Sequence, residues 1–282
     1  MGDDWCRMRP RSDVDIDRLK HIIDAAAQSY QRNERGFLDD LKPFLKETDS
    51  EDAAWSQYQV ADKRIRAQIH IEEDADGHWD CARMSPIGRN DIFPYTWRIE
   101  AYRCFLPDEV PAMLTTWRSY IEAVRADHYY GYLSDWYLYR ESRRALEFWE
   151  TMQRTAQDLV KEDVRQRPAA HVLAHIFDLP QPEMLPAPVF TEADQSSRID
   201  WQSDPRYQAL ADTFANLHQA RHTWNRAVKH KLYKFHRSEA CFDDRALDFE
   251  TFVSRAHDPQ IDELFVWLRE CVQNQMGVYL WV

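Results

Sequence analysis

Glycine is scarce in this chain: six residues in 282, each standing alone. Tight β-turns draw on glycine because it accepts positive φ at no steric cost, so the scarcity by itself favours helix. Isolated glycines also form neither a GxGxxG turn nor a Walker loop, which excludes a nucleotide enzyme of the usual folds. No serine lies in a GxSxG elbow, so acyl transfer of that kind has no support. There is no HExxH and no Glu-x-x-His pairing. Cysteine is sparse too. Cys6, Cys81, Cys104, Cys241 and Cys271 are odd in number, widely spaced and free of any CxxC. That pattern reads as reduced thiols in a cytosol, not as a disulfide frame or a zinc knuckle. No apolar run nears the roughly 20 residues that cross a bilayer. The opening MGDDWCRMRPRSDVDID lacks the apolar core of a secretory signal. The expectation is a cytoplasmic protein with no membrane contact.

What the chain does have is aromatic mass and acid. Hydrophobic residues make up 44% and charged residues 30%, a globular balance. Eleven Trp, 13 Tyr and 13 Phe supply large buried area and also suit binding surfaces. The net charge of -12 argues against general coating of nucleic acid, though not against a local basic groove.

Residues 204–237 organise the reading. Asp204 followed by Pro205 is a helix start, the carboxylate accepting from first-turn amides and proline suiting the first helical position. Tyr207, Leu210, Phe214, Leu217, Trp224, Val228 and Phe235 then recur at steps of three and four, one stripe on a helix. The pattern predicts a single rod of roughly 45–50 Å that the other segments pack along. Arg221 takes a slot in the stripe where an apolar residue is due. A guanidinium drawn out of water needs acceptors, so Arg221 is an anion site, a structural ion pair with Asp or Glu, or a side chain that snorkels to the surface. Residues 213–238 contain no Asp or Glu. They hold Arg221, Arg226, Lys229, Lys231, Lys234 and Arg237, with His218, His222, His230 and His236 among them. Cations in a last turn complement the helix dipole, and the remainder is either a solvated basic face or a docking surface for something anionic.

Elsewhere, helices are expected over 13–32 (Ile16, Leu19, Ile23, Ala26 and Tyr30 inward), 37–45, and from Ser50 through Trp55, Tyr58, Ala61 and Ile65. Ile65, Ala67, Ile69 and Ile71 then alternate with polar residues, and Asp76-Gly77 is a turn signal, so a single β-hairpin near 64–84 competes with a longer helix. Residues 84–95 read as a loop. Helical pattern resumes near Trp97, breaks at Pro107, and runs on from Asp108 through Met113, Trp117, Tyr120, Ile121 and Val124. HYYGYLSDWYLYRESRRALEFWETM is aromatic on more than one face and reads as core. A short helix carries His171 and His175. Pro180, Pro182, Pro186 and Pro188 make 179–204 the linker candidate, where a single domain over 1–282 would divide into two lobes if it divides at all. Residues 246–256 and a segment starting at Asp258-Pro259 are the last helices. The apolar GVYLWV must dock on the body or on a partner. The fold class is thus mainly α, a bundle-like domain around one long central helix.

Candidate chemistry is thin. His171 with His175, and His218 with His222, are four apart and face alike on a helix, a spacing that can share a divalent metal. Beside Arg221 and Arg226 the second pair is a poor cation site. No cofactor is required by any motif. Asp39-Asp40, and Asp243-Asp244 with Asp248 and Glu250, resemble Mg²⁺ ligands in type, but helix capping explains the second cluster more simply. The reading that follows is a cytosolic helical binding protein recognising a protein partner, of the inhibitor, immunity or adaptor kind, with self-association through its aromatics or C-terminus as a variant. The alternative is a helical enzyme with an anion or metal site at Arg221, His218, His222, Arg226 and Lys229. The weaker alternative is nucleic-acid binding along 221–237.

Overall fold

The computed structural model describes residues 4–32, 51–161, 169–229, 231–235 and 247–281. The helix expected over 37–45, the pairs Asp39-Asp40 and Asp243-Asp244, and the far end of the basic stretch at 236–237 lie outside them. In chain order the elements are β1 (Asp4–Pro10), α1 (Ile16–Arg32), α2 (Glu51–Arg66), β2 (Ile69–Ile71), β3 (Cys81–Arg83), α3 (Ser85–Gly88), α4 (Tyr95–Glu100), α5 (Val110–Arg125), α6 (Tyr130–Lys161), α7 (Ala170–Phe177), α8 (Pro205–Ala227), α9 (Phe249–Ser254), α10 (Pro259–Gln273) and β4 (Gly277–Trp281). The protein is mainly helical with a small four-stranded antiparallel sheet. It divides into two compact units, Met1–Ala126 with Ser254–Val282, and Asp127–Val253. The proline-rich segment at 179–204 runs inside the second unit and is not where the division falls.

In the first unit β1 is the central strand. β4 pairs along one edge, from Asp4↔Trp281 to Met8↔Gly277. β3 and β2 follow one another along the other edge, with Cys6 opposite Cys81 and Met8 opposite Ile71. Between them residues 72–80 leave the line as an excursion. Its neck is closed where the Arg7 N–H donates to the Asp80 carbonyl and the Glu72 N–H donates to the Arg7 carbonyl. The hairpin expected near 64–84 is therefore present, as part of a larger sheet, and α2 also continues through Ile65 before it. The apolar GVYLW docks as β4, with its first four residues buried. Trp5, fully buried on β1, stacks on Trp117 of α5 at 5.8 Å and meets the Phe105 ring edge-on. Rings of this size bury roughly 150–250 Å² each, which makes this cluster the main apolar store of the unit. Leu19, Ile23, Ala26 and Tyr30 of α1 face inward as their spacing requires, whereas Ile16 is exposed.

Cys6 and Cys81 form a disulfide, which corrects the reading of all five cysteines as free thiols. Sequence spacing hid it because the two residues meet only through strand pairing. It also removes one support for a cytosolic location. Cys104 and Cys271 are buried and free, and burial pushes the thiols up to about 12 and about 11. No described helix is long and apolar enough to cross a membrane.

In the second unit α6 is the longest helix. Its aromatic face is core as expected: Tyr130, Tyr132, Trp136, Tyr137 and Tyr139 are all buried. The Tyr137 ring meets Phe249 and Phe252 at 5.6 and 5.4 Å.

Candidate functional site

The expected rod over 204–237 is shorter than its pattern. α8 begins as predicted, with the Asp204 side chain accepting from the Arg206 N–H and Pro205 next. It stops at Ala227, and Val228 is already extended. The cause is tertiary. The Trp224 ring nitrogen donates to the Tyr233 carbonyl at 2.5 Å, and the Asn225 amide bonds the backbone of Phe235 twice. The Phe235 ring then packs on Trp224 and Phe148 at 5.7 and 5.8 Å. These bonds fold the chain back along the helix it would otherwise have extended. Lys229, Lys231 and Lys234 therefore do not continue the helical face of α8 that the nucleic-acid reading assumed.

Leu210, Phe214, Leu217, Ala220, Arg221 and Trp224 are the buried line of α8. Arg221 is 3% exposed, so the guanidinium is withdrawn from water and does not snorkel to the surface. One of its nitrogens lies 3.4 Å from Nδ1 of His218, which accepts from it when that ring nitrogen carries no proton. The His218 and His222 rings are 6.3 Å apart, but His222, Arg226 and Lys229 face solvent. The five residues expected to form one anion site are thus split between buried Arg221 with half-buried His218 and three outward side chains. His171 and His175 on α7 are both exposed. Among the described residues no three His, Cys, Asp or Glu side chains converge as a metal would need.

A cavity lies beside this line. α8 carries small and polar residues on the adjoining face: Pro205, Ala209, Thr213 and Asn216. Across from them residues 178–200 run as an extended strap. The Trp149 ring nitrogen donates to the Leu179 carbonyl at 3.1 Å, and Gln153 donates to the Ile176 carbonyl at 2.6 Å. The Leu185 N–H donates to the Ser142 hydroxyl at 3.0 Å, and that hydroxyl donates to the Tyr139 carbonyl. Phe190 sits against the Tyr129 and Tyr132 rings. Further on, Ser196 Oγ accepts from the Gly131 N–H at 2.7 Å, an approach that a Cβ on Gly131 would block. Arg198 then pairs with both carboxylate oxygens of Glu250. Proline at alternate positions keeps the strap extended and removes its donors there.

Between strap and helix opens a cleft of about 580 Å³, lined on one side by Leu179, Pro182 and Leu185 and on the other by Ala209, Leu210 and Leu217. Three of its polar side chains are bonded within the fold. Ser142 is bonded as above, Thr213 donates to the Ala209 carbonyl, and Arg206 at the mouth binds Asp204 and Asp135. The pairing raises the Arg206 pKa and lowers that of Asp204. Arg221 and the histidines are not part of the lining. The sequence signal for the cleft was the run of small residues at 205, 209, 213 and 216 flanking the apolar stripe, together with a proline-spaced strap to face it. No protein-family model, no curated protein and no solved structure matches the chain.

Proposed function

We propose that the chain is a binding protein, of the inhibitor or adaptor kind, that holds an apolar segment of a protein partner in the cleft between the strap and α8. The observation that carries this is the character of that cleft. It falls within the usual volume of binding sites, its walls are mainly apolar, and three of its polar side chains, Ser142, Thr213 and Arg206, are bonded to neighbours in the fold. Its walls are a helix and a strap fixed at several points along its length, so little ordering is left for binding to impose. An acidic chain of this kind suits a basic target. The test is Ala209→Trp, which fills the cleft from an exposed helix position and leaves the buried line of α8 intact. Affinity purification at native salt with the wild-type protein and with this variant should recover a partner with the first alone. The same partner in equal yield from both would refute the proposal.

A second reading places an anionic ligand at Arg221 and His218, and is supported by the buried guanidinium. A thermal-shift panel of phosphates and nucleotides, run on wild type and Arg221→Ala, separates the two. Stabilisation that disappears in the variant favours the anion site.

A further inference from the structure

Trp79 and Trp281 stand together on the surface of the first unit, 37% and 42% exposed. Their rings meet edge to face, 5.6 Å apart at 74°. Trp281 belongs to β4, opposite Asp4 of β1. Trp79 belongs to the excursion at 72–80, where it bridges to Glu73 and rests on the edge of the Tyr279 ring at 6.5 Å. Two tryptophans are a large apolar area to leave in water, and this residue type dominates the energetics of protein interfaces.

The pair is rigidly presented. The Asp74 carboxylate accepts from the N–H groups of Asp76 and His78, both at 2.9 Å, and Gly77 supplies the left-handed turn at φ 79°. The Asp80 N–H donates to the Glu72 carbonyl, and the Cys6–Cys81 disulfide closes the neck next to it. Tyr279 beneath is itself locked, accepting from Arg66 at 2.7 Å and donating to Asp62 at 2.5 Å. Binding here therefore meets a surface already in shape.

Charge says what the surface takes. Five of the nine residues 72–80 are acidic, and residues 67–82 contain no Lys or Arg. Glu72 is paired to Arg9 and Asp80 to Arg7, while Glu73, Asp74 and Asp76 are exposed around the rings. The Trp79 ring already carries a cation on one face, the Arg66 guanidinium at 5.8 Å from its centroid. An acidic rim around exposed indoles attracts cationic side chains, through the carboxylates and through the ring faces, and repels nucleic acid and anionic lipid.

We propose that the Trp79–Trp281 surface docks a lysine- and arginine-rich segment of a partner protein. The surface lies in a different unit from the cleft beside α8 and stands whether or not that cleft is occupied.

A synthetic octapeptide of alternating Lys and Arg is the probe, with an all-Glu octapeptide as its counterpart. Binding is followed by tryptophan fluorescence and by calorimetry on the full chain. The cationic peptide should bind wild type and the acidic one should not. Trp281→Ala and Trp79→Ala should each weaken binding about tenfold, the loss typical of an interface anchor. Glu73→Gln/Asp76→Asn, at exposed positions that folding does not need, should weaken it and flatten its salt dependence. Glu150→Gln/Asp158→Asn, an exposed pair on α6, should leave it unchanged. Equal losses in both carboxylate pairs, or a Glu73→Gln/Asp76→Asn protein that binds like wild type, would overturn the proposal. So would sedimentation showing that the tryptophans instead join two copies of this chain.

Discussion

Asn225 grips the backbone of Phe235 with both ends of its amide. Its Nδ2 donates to the Phe235 carbonyl at 2.7 Å, and its Oδ1 accepts from the Phe235 N–H at 2.8 Å. Phe235 is buried, so these backbone groups have no ready replacement in solvent. Asn225→Ala should destabilise the second unit by about 2–3 kcal/mol, the cost of leaving two buried polar groups unmet. A fall in the urea midpoint at unchanged slope would report it. A loss under about 0.5 kcal/mol would show that the return of the chain is held by ring packing alone.

Gly277 is where β4 passes closest to its neighbours. A Cβ there would run into the Phe105 carbonyl and press on Met8 and Pro107. The Phe105 backbone has little freedom to yield, because its N–H and carbonyl both pair with Val278, at 2.9 and 2.8 Å. Gly277→Ala should cost about 1–3 kcal/mol through overpacking. Hydrogen exchange should show the change at Val278 and Phe105 first. Uniform protection in the variant would contradict the close approach.

Asp204 gives a pH dependence with a definite sign. Donation from the Arg206 guanidinium, then from the Arg206 N–H, holds its carboxyl below the ordinary aspartate value. A depressed carboxyl contributes stability that is complete above its unfolded pKa, about 3.9, and is lost as pH falls through the lower folded value. Asp204→Ala should be less stable than wild type by about 1 kcal/mol at pH 6, as for other helix N-caps. The gap should narrow steadily below about pH 4. Asp204→Asn keeps the cap without the charge and should fall between them at pH 6. A gap that widens towards acid would mean the charge opposes the fold.

The limits of the sequence can be located residue by residue. Asp204-Pro205 and Asp258-Pro259 marked the starts of α8 and α10 because a cap is a local device, written in adjacent residues. The inward stripes of α5 and α10 were legible for the same reason. The stop of α8 was not, since neither glycine nor proline follows Ala227 and the cations there suit a helix end. That stop is set by Trp224 and Asn225 bonding residues nine and ten positions on. β1 and β4 were missed because each finds its partner at the other end of the chain, and because GVYLW, buried on both faces, shows no alternation. For the candidate site, the slot of Arg221 in the stripe left burial and snorkelling to the surface both open, and packing around α8 decides for burial. Which of its basic neighbours would turn inward with it was not legible, because that depends on how the other helices pack around α8. The cleft went unread, although small residues flank the stripe of α8, because the other half is a strap without hydrophobic periodicity.

β1 lies between β2 and β3, which follow it within the first hundred residues, and β4, which is translated only at residues 277–281. While a ribosome works through the intervening chain, residues 4–10 have one border they can satisfy and one they cannot. Residues 127–253 are contiguous and are free to mature during that interval. The first unit must wait until residues 277–281 leave the exit tunnel, and its nascent form offers a bare strand border that invites wrong pairing. Chaperone demand during synthesis should therefore concentrate on the opening segment, and a chain cut short before β4 should aggregate through it.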